Sequence, residues 1–250
     1  MKLASALLSA ALALLLWSAV ATQVGNPLLL PRPADVAAAA AALWLGGELT
    51  THVLASLQRL LVGLAVGTPI GATLGCLMGI SRTADAMLDP YVRFFNAIPA
   101  LAIVPFSLIA LGVTELSRYA LLVYTVTLVV LLGTRQSVRS IPRIRLNAGA
   151  TLGLGRTATL FRIVMPSAFP AILAGVRTAM GLGVMVIVAA EMLGAESGLG
   201  YLIMQARSHF SVANMLVGVI GLGLLSLVLD RAFLFAIETL LPRWSLARRI

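Results

Sequence analysis

Residues 60–80 read LLVGLAVGTPIGATLGCLMGI, a run without a charged side chain and with glycine at 63, 67, 71, 75 and 79. A helix crosses the hydrocarbon core of a bilayer with about 20 mostly apolar residues, so this run is long enough to cross. Four residues turn a helix by about 400°, so Gly63, Gly67, Gly71, Gly75 and Gly79 form one slowly winding groove. A neighbouring helix can approach closely along such a groove, as small residues allow inside membranes. The stripe speaks for packing and not for chemistry.

Further charge-poor runs cover about Leu3–Val20, Ala97–Val113, Tyr119–Thr134, Ala168–Glu191 and Val212–Leu229. Together they predict an all-α, polytopic membrane protein of about six crossings. Composition agrees: 60% of the 250 residues are hydrophobic and 11% charged, with a mean hydropathy of +1.02. A soluble domain needs more polar surface than that. Aromatics are only 6%, and the runs do not alternate apolar with polar residues as the strands of a membrane barrel would. The lone Cys76 excludes an intrachain disulfide and argues against a Cys-held metal cluster, so no metal site is expected.

The net charge of +9 would suggest nucleic acid for a soluble chain, but here the arginines sit between apolar runs and report topology. With the N-terminus inside, the inner segments hold Lys2, Arg82, Arg93, Arg135, Arg139, Arg143, Arg145, Arg156, Arg162, Arg231, Arg243, Arg248 and Arg249. The outer segments hold Arg32, Arg118 and Arg207. That asymmetry places both termini in the cytoplasm. Lys2, the apolar core after it and Ala19-Val20-Ala21 also fit a cleavable signal peptide; an uncleaved anchor is expected, because the later helices then alternate correctly. The outer stretch Asn26–Trp44 reads as a loop followed by a surface helix.

Between the fourth and fifth runs lies an inner stretch, Arg135–Ser167. Its core is Asn147-Ala-Gly-Ala-Thr-Leu-Gly153, then nine residues, then Ile163-Val164-Met165-Pro166. Two short helices about Gly153 would make a compact knob, since glycine tolerates the turn between them. Pro166 is expected to end the second piece and to open the next helix at its first turn, where a missing N–H costs nothing.

This stretch resembles the EAA loop of ABC importer permeases. Ala148, Gly153, Ile163 and Pro166 match that motif in register; Asn147 stands where the family has Glu, Gly149 where it has a second Ala, and Met165 where it has Leu. Ser56-Leu-Gln-Arg59 with Gly63, Leu88-Asp89-Pro90, Ala97-Ile98-Pro99-Ala-Leu-Ala, Ala189-Ala190-Glu191-Met192 and Ser197-Gly-Leu-Gly-Tyr201 are similar to the nitrate, sulfonate and taurine permease group. The resemblance covers about Leu54–Leu229. It implies a type I importer transmembrane domain at 54–240, with its coupling loop at 135–167. An N-terminal anchor and outer segment at 1–53 precede it, and a basic tail at 241–250 follows. It also implies two such subunits, two cytoplasmic ATPases gripping Asn147, Ala148, Gly149, Gly153, Ile163, Met165 and Pro166, and an extracytoplasmic binding protein. The expected setting is the inner membrane.

The only lysine is Lys2, so no P-loop exists here, and ATP, the one cofactor implied, belongs to the partner. No metalloprotease, paired-carboxylate or serine-elbow motif appears, so no catalytic residue is expected. Arg177 lies about 16 Å along its helix from Pro166, near mid-membrane, where a guanidinium must face water or a partner. It is a candidate for the translocation path or for an interhelical ion pair. Glu191 is expected near the outer mouth, lining the path, meeting the binding protein or clamping the outer loop. Asn96 and Pro99, at the start of the third crossing, are candidates for shaping a gate. Arg59 is expected to snorkel to the outer interface, and His52 and His209 to be solvated. Two rivals stand beside the importer: an ion-coupled secondary transporter, disfavoured by the absence of other mid-membrane charge or a buried acid, and a membrane scaffold.

Overall fold

The structure, a computed structural model, describes residues 2–240, so the expected basic tail lies outside the described residues. The regular structure among them is helical throughout: α1 (Lys2–Val24), α2 (Pro33–Leu45), α3 (Glu48–Ile80), α4 (Arg82–Ala97), α5 (Ala100–Leu111), α6 (Glu115–Arg139), α7 (Arg143–Thr151), α8 (Arg156–Thr159), α9 (Met165–Gly194), α10 (Leu199–Ser208) and α11 (Val212–Leu240), with a π-helical turn at Leu160–Val164. Leu, Ala and Val carry the helices; Gly and Pro punctuate them. Pro33 opens α2, Ser81 caps α4 by accepting from the Ala84 N–H, and Gly112 follows α5 at φ +76°.

Among the described residues, four helical runs are long and apolar enough to cross a membrane: Glu48–Ile80, Glu115–Arg139, Thr157–Gly194 and Val212–Leu240. The expected third crossing is not a straight helix. That stretch falls on the pair α4 and α5, bent by 95° at a break between them, because Pro99 disfavours helical backbone at Ile98 before it. The remaining expected crossing falls on α1, whose apolar stretch is the shorter Leu8–Val24. Each long run also exceeds its sequence bounds, since helices keep their hydrogen bonding beyond the apolar core.

Pro166 stands in the first turn of α9, as expected, but no break separates it from the piece before. Thr157–Gly194 is one continuous run. The chain widens to a π turn just ahead of Pro166, with the Met165 N–H bonded back to the Leu160 carbonyl. A looser turn accommodates a residue with no N–H and a bulky ring.

The chain forms two compact units, with boundaries falling inside α3, α9 and α11. One combines the chain up to Ser56 with Glu191–Leu224; the other combines Leu57–Ala190 with the chain from Leu225 on. In the second unit α6 is the central helix: Leu121, Leu122, Val126, Val130 and Leu131 are all at most 2% exposed. The glycine stripe of α3 faces it. A Cβ at Gly63 would stand 2.5 Å from Leu122 Cβ, at Gly67 2.7 Å from Val126 Cβ, and at Gly79 2.5 Å from Val138 Cβ. At Gly71 and Gly75 it would stand 2.6 Å from the Thr127 and Leu131 backbone oxygens.

Backbone cannot yield as a side-chain tip can. Gly75→Ala is therefore expected to destabilise by about 1–3 kcal/mol, the usual cost of overpacking, seen as a lower melting temperature in detergent. Gly181→Ala, on α9 with nothing within 4 Å of the new Cβ, is the matched control and should melt as the parent does.

Candidate functional site

The inner stretch between α6 and α9 folds as a knob on a fixed base. Leu152, Gly153 and Leu154 close α7: the Gly153 N–H donates to Ala150 O at 3.0 Å and the Leu154 N–H to Gly149 O at 3.0 Å. This is the Schellman closure, which needs a left-handed residue, and Gly153 supplies it at φ +72°. Gly149 is buried against Ile163, whose Cδ1 would lie 2.6 Å from an added Cβ. Below the knob, Cys76, Val138, Ile141, Val164 and Ala168 form a buried cluster with Leu146, Leu160 and Met165 packed on it. Beside it, Arg135 bridges Asp85 at 2.7 Å and Asp89 at 2.6 Å, and Arg139 also pairs with Asp85, tying α6 to α4.

Of the motif residues, Gly149, Ile163, Met165 and Pro166 thus belong to the packed side, whereas Asn147, Ala148 and Gly153 are exposed. The sequence reading missed the knob's apolar face. Ile144 is 76% exposed and Leu152 80%, and with Ala148 they recur every four residues, on one face of α7. Phe161 is exposed as well. That spacing was legible, but its exposure was not.

On α9, Arg177 is held by Asp230 of α11, Nε to Oδ1 at 2.6 Å and Nη2 to Oδ2 at 2.9 Å. The pair is 45% and 32% exposed on the unit's surface. Asp230 was overlooked because the apolar run of α11 stops at Leu229. Asn96 and Pro99 flank the α4–α5 break and line a cleft of about 270 Å³ together with Tyr124, Thr125, Leu182 and Met185. The Tyr124 hydroxyl donates to Phe95 O at 2.7 Å across that break, satisfying a helix-end carbonyl.

Glu191 is 1% exposed, which corrects both the expectation of a path-lining side chain and that of no buried acid. Of the expected roles it fills the clamp, holding the turn after α9. Its carboxylate accepts from the Ser56 hydroxyl at 2.8 Å and from the Gly200 N–H at 2.9 Å. Ser56 Oγ accepts from the Leu199 N–H at 2.9 Å. The first N–H groups of α10 are thereby satisfied by side chains, with an anion at the positive end of the helix.

His52 is not solvated: it is buried and its Nδ1 accepts from the Gly198 N–H at 3.2 Å, so its proton sits on Nε2. Tyr201 packs against its ring, with centroids 5.6 Å apart. His209 is exposed. Arg59 does not snorkel: it is 3% exposed and bonds Glu115 through Nε at 2.7 Å and Nη2 at 2.6 Å. Arg118 shares the same carboxylate at 2.7 Å. The Glu115 carboxylate on α6 compensates a buried guanidinium that would be costly to leave unpaired.

No group of three or more His, Cys, Asp or Glu able to hold a metal ion occurs among the described residues.

Residues 67–245 match the family described as binding-protein-dependent transport system inner membrane component. The chain is 36% identical over 217 residues to an ABC transporter permease protein of Brucella abortus (strain 2308), covering 86% of each chain. It is 30% identical to the taurine transport system permease protein TauC of Escherichia coli (strain K12), over 94% of this chain and 87% of that one. Among solved structures, an inward-facing conformation of the MetNI methionine ABC transporter matches with a TM-score of 0.58 at 18% identity, over 76% of this chain and 96% of that chain.

Proposed function

From the chain's membership of the binding-protein-dependent transport system inner membrane component family, which its match over residues 67–245 establishes, we propose that it serves as the permease half of an importer driven by a separate ATPase and carrying a small anion. The observation that carries this reading is the exposed apolar stripe Ile144, Ala148 and Leu152 on a knob that the Gly153 turn joins to the membrane-length run Thr157–Gly194. An apolar face left open on a rigid projection is a docking surface. The arginine asymmetry supports placing that knob, and both termini, in the cytoplasm.

Two copies of this chain form the pathway, and two ATPases grip the two knobs. Closure of the ATPase pair on ATP draws the knobs together, and the continuous Thr157–Gly194 run carries the displacement into the membrane. The binding protein releases its solute to the outward-open cavity. This chain holds no nucleotide; its residues couple, orient and gate. Arg177 meets the anion, while Asn96 and Pro99 shape the cleft at the break of the third crossing. The anion class rests on Arg177 and on the taurine permease among the relatives. Asn147 contributes an amide where the family motif has a carboxylate, so docking at this position relies on hydrogen bonding rather than on charge.

Leu152→Asp places a charge on the knob's surface without touching its base. Co-purification of the P-loop partner is expected to be lost, with an unchanged melting temperature. Gly153→Asp should lose the partner too, with some loss of stability, because the turn needs a left-handed residue. Retention of the ATPase by both variants would remove the knob from the interface. Solute accumulation by vesicles holding this chain alone, without nucleotide, would favour the secondary transporter.

A further inference from the structure

Six of the described residues have a backbone φ in the left-handed region. Five are glycines, namely Gly25, Gly47, Gly112, Gly153 and Gly198; the sixth is Phe210, at φ +54°. Phe210 lies in the short link between α10 and α11. Its N–H donates to Arg207 O at 3.1 Å and the Ser211 N–H donates to Ala206 O at 2.9 Å. These two bonds repeat the Schellman closure seen at Gly153, where the left-handed position ordinarily takes glycine or asparagine. A Cβ there is crowded by the following carbonyl oxygen. Glycine stands at every other such point among the described residues, so phenylalanine departs from the chain's own pattern. Nor does the ring recover the strain by packing within the chain, for it is 79% exposed. Strain of this kind is a signature of positions held for function.

The surroundings tell what the ring faces. Gln205, Arg207, Ser208 and His209 beside it are all exposed, and a surface that polar belongs in water rather than in lipid. Met204, Arg207, Phe210 and Met215 line a groove of about 480 Å³. Arg207 has no carboxylate within ion-pair distance among the described residues; its Nη1 reaches only Met204 Sδ, at 3.8 Å. An open aromatic ring, an uncompensated guanidinium and two pliable thioethers inside a polar rim have the composition of a protein contact centre.

We infer that Phe210 is an anchor on which the extracytoplasmic binding protein docks, its ring entering an apolar pocket of that partner and Arg207 meeting a carboxylate at the pocket's edge. The inference rests on the importer reading and on the orientation that puts the α10–α11 link outside. The partner is the one that the family's description requires.

The test uses the complete complex, permease with its ATPase in nanodiscs, titrated with the binding protein. Phe210→Gly relieves the backbone and is expected to raise the melting temperature by about 2–4 °C. The same variant should raise the binding-protein concentration for half-maximal ATP hydrolysis about tenfold or more. Phe210→Tyr should stay near the parent in both. With p-benzoyl-phenylalanine at position 210, illumination of cells should join this chain to the binding protein. Unaltered stimulation of Phe210→Gly overturns the inference, as do crosslinks confined to phospholipid or to a second copy of this chain. A parent complex whose ATP hydrolysis ignores the binding protein overturns the importer reading, and this inference with it.

Discussion

Gly198→Ala is expected to lower stability by about 2–6 kcal/mol, the sum of about 1–3 for a backbone region that only glycine occupies and about 1–3 for overpacking. Gly198 stands at φ 120°, ψ 162°, ahead of α10. A Cβ there would lie 2.3 Å from Glu191 Cδ and 2.4 Å from its Oε1. The carboxylate cannot retreat, because it is pinned by Ser56 and by the Gly200 N–H. Moving it would strand those donors in a dry interior, at about 1–3 kcal/mol for each one left unsatisfied. Backbone and packing thus fail together.

Gly25→Ala offers the contrast: its φ is +64° but nothing lies within 4 Å of the added Cβ, so only the backbone cost remains. Thermal unfolding in detergent separates the two variants, and equal melting temperatures would refute the clamp. Glu191→Leu should resemble Gly198→Ala rather than Gly25→Ala, since it removes the acceptor and keeps the donors.

The clamp also marks the limit of what the sequence discloses. Ser56, Glu191 and Ser197–Tyr201 were all visible as motif fragments, yet 135 positions separate the bonded Ser56 and Glu191. Periodicity sees neighbours on one helix and is blind to such a pairing. His52 and Arg59 were misplaced for the same reason, because a polar residue at the end of an apolar run looks solvated until its partner on another helix is known. The glycine stripe was legible in full, since its meaning is local to α3 and needs only a neighbour of any kind. The bend at Pro99 was half legible: a proline signals a break, but not the 95° turn that follows. Hydropathy counts apolar residues, so it ran α5 together with the end of α4 and closed α11 one residue short of Asp230.

Arg177→Ala is expected to reduce uptake by reconstituted complexes to the level of empty vesicles, while membrane insertion and ATPase docking persist. The argument turns on which donors remain free. A guanidinium carries five N–H groups, and Asp230 engages one on Nε and one on Nη2. The Nη1 edge is left open, so Asp230 fixes the plane of Arg177 without saturating it. The pair's partial exposure matters as much: turned toward hydrocarbon it would be costly, so on the proposed reading it faces a watery cavity or the second copy. An anion arriving there meets a cation already oriented, with no side chain to reorganise.

Two variants separate recognition from a mere tie between α9 and α11. Exchanging the charges, Arg177→Asp with Asp230→Arg, keeps the helices joined but moves the guanidinium to α11. The exchange should restore the melting temperature lost by Arg177→Ala and leave uptake absent. Recovery of uptake by the exchanged pair would reduce Arg177 to a structural link. Asp230→Asn, which keeps Arg177 in place and removes the competing charge, should bind the transported anion more tightly and release it more slowly. Its half-saturating concentration and its maximal uptake rate should therefore fall together.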